Sequence, residues 1–150
     1  MEINDILVID AKADTWKEAI LQSGTKLLNE KYVKEVFAQE CIKREYEYPT
    51  GLPTATPIAI PHCASEFVNK EALCVLRLEK PVQFHRMDDF DSYVDVPVVF
   101  NLALKKDDEH IVFLQKFINA LSNENADFVK EIMDAKISEV GQIFKKFDIL

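Results

Sequence analysis

The residue types best suited to chemistry fall in one stretch: Arg44-Glu45, then Pro49-Thr50-Gly51, then Ile58-Ala59-Ile60-Pro61-His62-Cys63. Pro61 disfavours helix at Ile60, so the apolar triplet before it is held extended to its end. Pro61 also fixes its own φ. His62 is thereby presented rigidly at the end of a short apolar strand, and strand ends are where α/β sheets place ligand sites. A histidine held in this way can be a satisfied buried side chain, a metal ligand, a general base or a covalent nucleophile. Neutral imidazole, with an unperturbed pKa of about 6.5, is a nitrogen nucleophile near pH 7. A phosphoryl group received there would bring roughly two negative charges. The site would then need cationic and N–H donors aimed at the phosphoryl oxygens. Arg44 offers a guanidinium fork, Thr50 a hydroxyl, and Gly51 a backbone that can come close. His110 stands at the start of a helical pattern, where it could donate a hydrogen bond and where the helix N-terminus favours anions.

The other reactive side chains read differently. Cys63 follows His62 directly, and adjacent residues of an extended chain point to opposite sides. A Cys63–His62 catalytic pair is therefore not expected, and Cys63 reads as a small buried apolar residue. Cys41 and Cys74 sit in apolar stripes and read as core. His85, between Phe84 and Arg86, reads as surface. Asp88, Asp89, Asp91 and Asp95 lack the glycine and terminal glutamate of a calcium loop, so a solvated acidic loop is expected. His62, Cys63, His85 and His110 form no zinc spacing. Neither G-x-x-x-x-G-K-[ST] nor G-x-G-x-x-G occurs, which argues against a standard nucleotide-binding loop. No metal or organic cofactor is expected.

The elements that must position these residues follow from periodicity. Ile6–Ile9 reads as a short strand. Thr15-Trp16-Lys17-Glu18 is a capping-box pattern that opens a helix to about Asn29. A second helix is expected from about Lys31 to Glu45, with Val33, Val36, Phe37 and Cys41 inward. Between Tyr46 and Pro57, three prolines and Gly51 prevent helix. Strands are expected at Ile58–Ile60, Ala72–Leu78 and Val94–Leu104, with Pro81–Phe84 as a short edge piece. Pro97 calls for an edge, a bulge or a later start. Ile111, Leu114, Phe117, Ile118 and Leu121 give a helix over His110–Leu121. Phe128 and Ile132 mark a shorter helix, and Ser138 opens a terminal one to about Phe147. This order implies an α/β or α+β fold, a mixed β-sheet flanked by helices, in one domain spanning 1–150.

Composition narrows the class further. Of 150 residues, 48% are hydrophobic and 29% charged, which is ordinary globular composition and allows a substantial core. A net charge of −8 disfavours nucleic acid and anionic membrane as partners and suits a partner with a basic face. Three cysteines without a C-x-x-C fit free thiols in a reducing compartment. The first residues, Met1-Glu2-Ile3-Asn4-Asp5, lack a signal-peptide pattern. No apolar run approaches the roughly 20 residues that span a bilayer. A cytoplasmic location is expected.

The pattern R-E, P-T-G, I-A-I-P-H and a distal D-E-H-I-x-x-L, Asp108 to Leu114, resembles the IIA component of the fructose–mannitol type in the sugar phosphotransferase system. The likeness runs from about Thr15 to Phe144. The cysteine after His62, the P-T-G segment and the run Asp88-Asp89-Phe90-Asp91 look most like galactitol-type IIA proteins. The resemblance implies that His62 matches the histidine that becomes phosphorylated, on Nε2. It implies that Arg44 matches the family's active-site arginine and His110 a second histidine near the first. It also implies a mixed β-sheet flanked by helices. The implied function is a phosphocarrier that accepts from the histidine phosphocarrier protein and passes the group to a cysteine of the IIB component. The group then goes to a sugar or polyol, galactitol for instance, entering through the membrane IIC component. Both protein partners must reach His62 in turn, and Phe67 is a candidate for the apolar rim or for simple core packing. A regulatory IIA-like protein that signals through His62 phosphorylation is the alternative. A binding domain without phosphotransfer is a third reading, which the pairing of His62 with Arg44 opposes.

Overall fold

β1 (Ile6–Ala11) leads into α1 (Trp16–Asn29), whose first turn is capped by Thr15, its side chain accepting from the Glu18 N–H at 3.2 Å. The Glu18 carboxylate reaches back one residue further than a capping box requires, to the Asp14 N–H at 2.7 Å. The computed structural model describes residues 1–105, 108–122 and 127–150, and for 108–110 the backbone alone.

α2 (Phe37–Glu47) starts well after Lys31, where the apolar pattern placed it. Lys31 adopts φ 67°, a left-handed stop that ends α1. The Lys31 and Tyr32 N–H groups return to the carbonyls of Leu28 and Leu27. Val33 then forms a β-bridge with Val68, so its side chain reaches the core from an extended segment and not from a helix face. Gly24 lets α1 and α2 touch: a Cβ there would sit 2.7 Å from the Ala38 Cβ.

The remaining strands are β2 (Gly51–Leu52), β3 (Ile58–Ala59), β4 (Ala72–His85) and β5 (Tyr93–Ala103). The sheet order is β1-β4-β5-β3-β2. β1 runs parallel to β4 and β3 parallel to β5, while β4–β5 and β2–β3 are antiparallel, which makes the sheet mixed. Pro81–Phe84 is not a separate edge piece, because β4 continues through it. The β4–β5 register slips between Arg77 and Val82, and Pro97 on β5 stands opposite that slip. Pairing of β5 with β3 begins only at Val98. A central strand therefore carries a proline where no ladder partner is required of it.

Three helices close the other face: α3 (Asp108–Ser122), α4 (Phe128–Asp134) and α5 (Val140–Lys146). Alternation along β4 sends Cys74 and Leu76 toward α1 and α2, and Leu73 and Val75 toward α3–α5. The second core is built on aromatic rings. Phe100 and Phe117 meet edge to face at 5.2 Å, as do Phe128 and Phe144 at 5.3 Å. All four are fully buried, and burial of each is worth roughly 1.5–3 kcal/mol. Cys41 and Cys74 are buried free thiols. Among the described residues no helix is long and apolar enough to cross a membrane.

Candidate active site

The β3 ladder ends at Ala59, but the chain stays on the sheet past the proline. The Leu102 N–H of β5 donates to the Pro61 carbonyl at 2.9 Å, and His62 forms an isolated parallel bridge with Leu102. The half-buried imidazole folds back on its own chain, with Nδ1 2.7 Å from the Ile60 carbonyl. A carbonyl only accepts, so Nδ1 carries the proton and Nε2 keeps the free lone pair. Burial lowers the His62 pKa most, the Ile60 carbonyl draws it partly back up, and the positive charge of Arg44 lowers it further. The balance is a lowered pKa, which favours the neutral, nucleophilic form of the ring.

Arg44 lies in the last turn of α2, which the Tyr48 N–H closes by donating to the Arg44 carbonyl at 2.7 Å. Its side chain is exposed, with the guanidinium over the Tyr48 ring at 5.3 Å. A cation there disfavours a second positive charge on His62. The same cation would attract an anionic group arriving on Nε2.

Glu45, the next residue, turns the opposite way and is only 5% exposed. The Thr50 N–H donates to its Oε1 at 2.8 Å, and the Thr50 hydroxyl lies 3.0 and 2.9 Å from its two oxygens. Burial pushes the Glu45 carboxyl up to about 7, against the Thr50 hydrogen bonds and the charge of Arg44, which pull it down. The sequence shows Glu45 only as the second residue of the R-E pair and assigns it no role of its own. The available signal was its place four residues after Cys41 on the inward stripe of α2, where a carboxylate needs a partner.

Thr50 is 2% exposed and its hydroxyl proton is directed to Glu45, while its oxygen accepts from the Ile60 N–H at 3.2 Å. A direct contact from this hydroxyl to a phosphoryl oxygen does not fit that geometry. Gly51 is buried in β2, and a Cβ there would meet the His85 carbonyl oxygen at 2.5 Å. The close approach that demands glycine at this position is therefore to the end of β4, not to an incoming group. His110 falls in the first turn of α3, and its side chain lies outside the described residues.

Cys63 is half-buried, with Sγ 3.8 Å from the Phe37 carbonyl and its side chain against the α1–α2 core. Cys63→Ala is accordingly expected to leave the site's chemistry intact; a folded but inactive variant in the transfer assay described below would reinstate the thiol. Phe67 is half-buried and packs on the same core. His85 is partly exposed, bonded through Nδ1 to the Phe90 carbonyl at 2.6 Å, with its ring 4.4 Å from that of Tyr93. The acidic loop is internally engaged, Asp88 with Arg86 and Asp89 with Ser92. Among the described residues no three His, Cys, Asp or Glu side chains are grouped to hold a metal ion.

A histidine whose Nδ1 faces a carbonyl, at a strand end of a mixed α/β/α sandwich and under the influence of a guanidinium, has the arrangement that a nitrogen nucleophile requires. Residues 1–147 match the family described as "Phosphoenolpyruvate-dependent sugar phosphotransferase system, EIIA 2", and the chain belongs to that family. It is thus a phosphotransferase component of the IIA class. It is 28% identical over 131 residues to the galactitol-specific EIIA component of Escherichia coli (strain K12), covering 87% of this chain and 85% of that one. It is 30% identical over 149 residues to the mannitol-specific phosphotransferase enzyme IIA component of Staphylococcus aureus (strain N315), covering 97% and 95%. The fold matches that of the Escherichia coli mannitol enzyme IIA, solved in complex with phosphorylated enzyme IIB, with a TM-score of 0.75 at 24% identity over 97% of each chain.

Proposed function

We propose that the chain, acting as one IIA domain over 1–150, is a cytoplasmic phosphocarrier that receives its phosphoryl group on Nε2 of His62. The donor is the phosphohistidine of the histidine phosphocarrier protein. The bond from Nδ1 to the Ile60 carbonyl carries this reading, because it leaves Nε2 as the nucleophilic nitrogen. Nε2 attacks phosphorus in line as the donor's N–P bond breaks, and the departing electron pair stays on the donor imidazole. The transition state is loose and highly charged, so catalysis consists of positioning and electrostatics. Arg44 balances the charge on the equatorial oxygens, and the family resemblance assigns His110 an assisting role. No metal or organic cofactor enters this step. The group then passes to a cysteine of a IIB component, and from there to a sugar or polyol entering through a membrane IIC component. The net charge of −8 suits docking partners with basic faces. Both relatives named above are specific for a sugar alcohol, which supports a polyol substrate and favours transport over signalling.

The test is incubation of the purified protein with phosphoenolpyruvate, Enzyme I and the histidine phosphocarrier protein, followed by intact mass. One acid-labile phosphoryl group is expected. No gain, while a control IIA is charged in the same mixture, would overturn the proposal.

A further inference from the structure

The Ile60 carbonyl that selects the tautomer of His62 belongs to a residue outside any ladder, since β3 stops at Ala59. What holds Ile60 on its other side is Thr50, whose hydroxyl oxygen accepts the Ile60 N–H at 3.2 Å. Thr50 in turn is held at two points, N–H and hydroxyl, by the buried carboxylate of Glu45. A chain of hydrogen bonds therefore runs from the last turn of α2, through Glu45 and Thr50, to the Ile60 backbone and the His62 ring. We infer that Glu45 and Thr50 are positioning residues for phosphoryl transfer, a clamp that fixes the Ile60 carbonyl and through it presents Nε2 of His62 to the donor. Neither touches the reacting atoms. Adjacent residues of α2 divide the work: Arg44 faces solvent toward the incoming charge, and Glu45 faces inward to hold the strand end.

The alternative is a purely structural carboxylate that ties α2 to the loop before β2. The two roles differ in what they do to the imidazole. A structural tie, when cut, lowers the melting temperature and leaves the tautomer alone. A positioning clamp, when cut, frees the Ile60 carbonyl and lets the neutral ring drift toward the Nε2–H form, which is not nucleophilic at Nε2.

The experiment compares Thr50→Val and Glu45→Ala with the conservative Thr50→Ser and Glu45→Gln. Nitrogen-15 NMR of His62 reads the tautomer, and the transfer assay reads the rate. The valine and alanine variants are expected to populate the Nε2–H tautomer and to accept phosphate roughly 10- to 100-fold more slowly, the usual scale for losing an outer-shell partner that orients a functional imidazole. The serine and glutamine variants are expected to restore both. Folded Thr50→Val with the tautomer and rate of the unaltered protein would overturn the clamp. Should Thr50→Val and Glu45→Ala not fold, the milder Glu45→Asp, which withdraws the carboxylate by one methylene, takes their place: a rise in the Nε2–H tautomer supports the clamp, and an unchanged tautomer and rate overturn it. The rate readout rests on the phosphocarrier reading, whereas the tautomer readout does not. Failure of the unaltered protein to accept phosphate would thus strike that reading and leave the clamp to be judged by NMR.

Discussion

His62→Ala is expected to accept no phosphoryl group while keeping its fold. Among the described residues the half-buried ring bonds to the Ile60 carbonyl, and losing that bond costs stability of only about 1 kcal/mol. The strand end does not depend on the ring, because the Leu102 N–H holds the Pro61 carbonyl and Thr50 holds the Ile60 N–H. The chemical loss, by contrast, should be complete. Cys63 leans on the Phe37 carbonyl, and His85 is bonded to Phe90 in the β4–β5 hairpin, next to Tyr93. Neither is placed to substitute as a nucleophile. Intact mass after incubation with the phosphoryl donors reads the chemistry, and a circular-dichroism melt reads the fold. A mass gain of one phosphoryl group in folded His62→Ala would remove His62 from the centre of the mechanism.

Much of this site was legible before any coordinates. Pro61 predicts a rigid histidine after an extended apolar triplet, and Pro61-His62 is held in that way on β5 through Leu102. Helix periodicity predicted α1 and α3, and continuous apolar runs predicted β1, β3 and the bodies of β4 and β5, because those signals are local, whereas the two-residue β2 carries no such run. The start of α2 was misread because Val33 has the right spacing for a helix face yet reaches the core through a bridge to Val68, a partner far away in sequence. The continuity of β4 was hidden by Pro81, which is tolerated only because the register slips beside it.

The contacts of Thr50 and Gly51 were hidden for a related reason. A hydroxyl and a glycine near a phosphoryl-accepting histidine invite a direct contact. Whether the hydroxyl is free depends on a buried carboxylate five residues upstream, and the neighbour that excludes a Cβ at Gly51 is the His85 backbone. Both are tertiary facts. The R-E pair shows the same limit: one side chain is exposed and the other buried, and only the direction of each from the end of α2 separates them.

Arg44→Ala carries the second large effect, a fall in transfer rate on the order of 10²-fold or more, as for removal of a preorganised donor to a charged transition state. It should leave stability nearly unchanged, because the guanidinium is exposed and its described contact is with the Tyr48 ring. A rate loss without a stability loss is what separates a transition-state role from a packing role. Arg44 also depresses the His62 pKa, so its removal has a second sign that can be measured independently. Without that neighbouring cation, imidazolium is easier to form, and the His62 pKa moves upward. Burial, the larger cause, remains, so the rise is partial. As pH falls, the variant therefore loses its neutral nucleophile sooner than the unaltered protein, and its rate deficit widens on the acid side. A pH series of transfer rates, set beside an NMR titration of His62, tests both statements. An Arg44→Ala protein that transfers at the normal rate with an unshifted His62 titration would show that this guanidinium is an ordinary solvated helix-end charge. A rate deficit with a normal titration would keep the transition-state role but place the cation too far from the free imidazole to act before the phosphoryl group arrives.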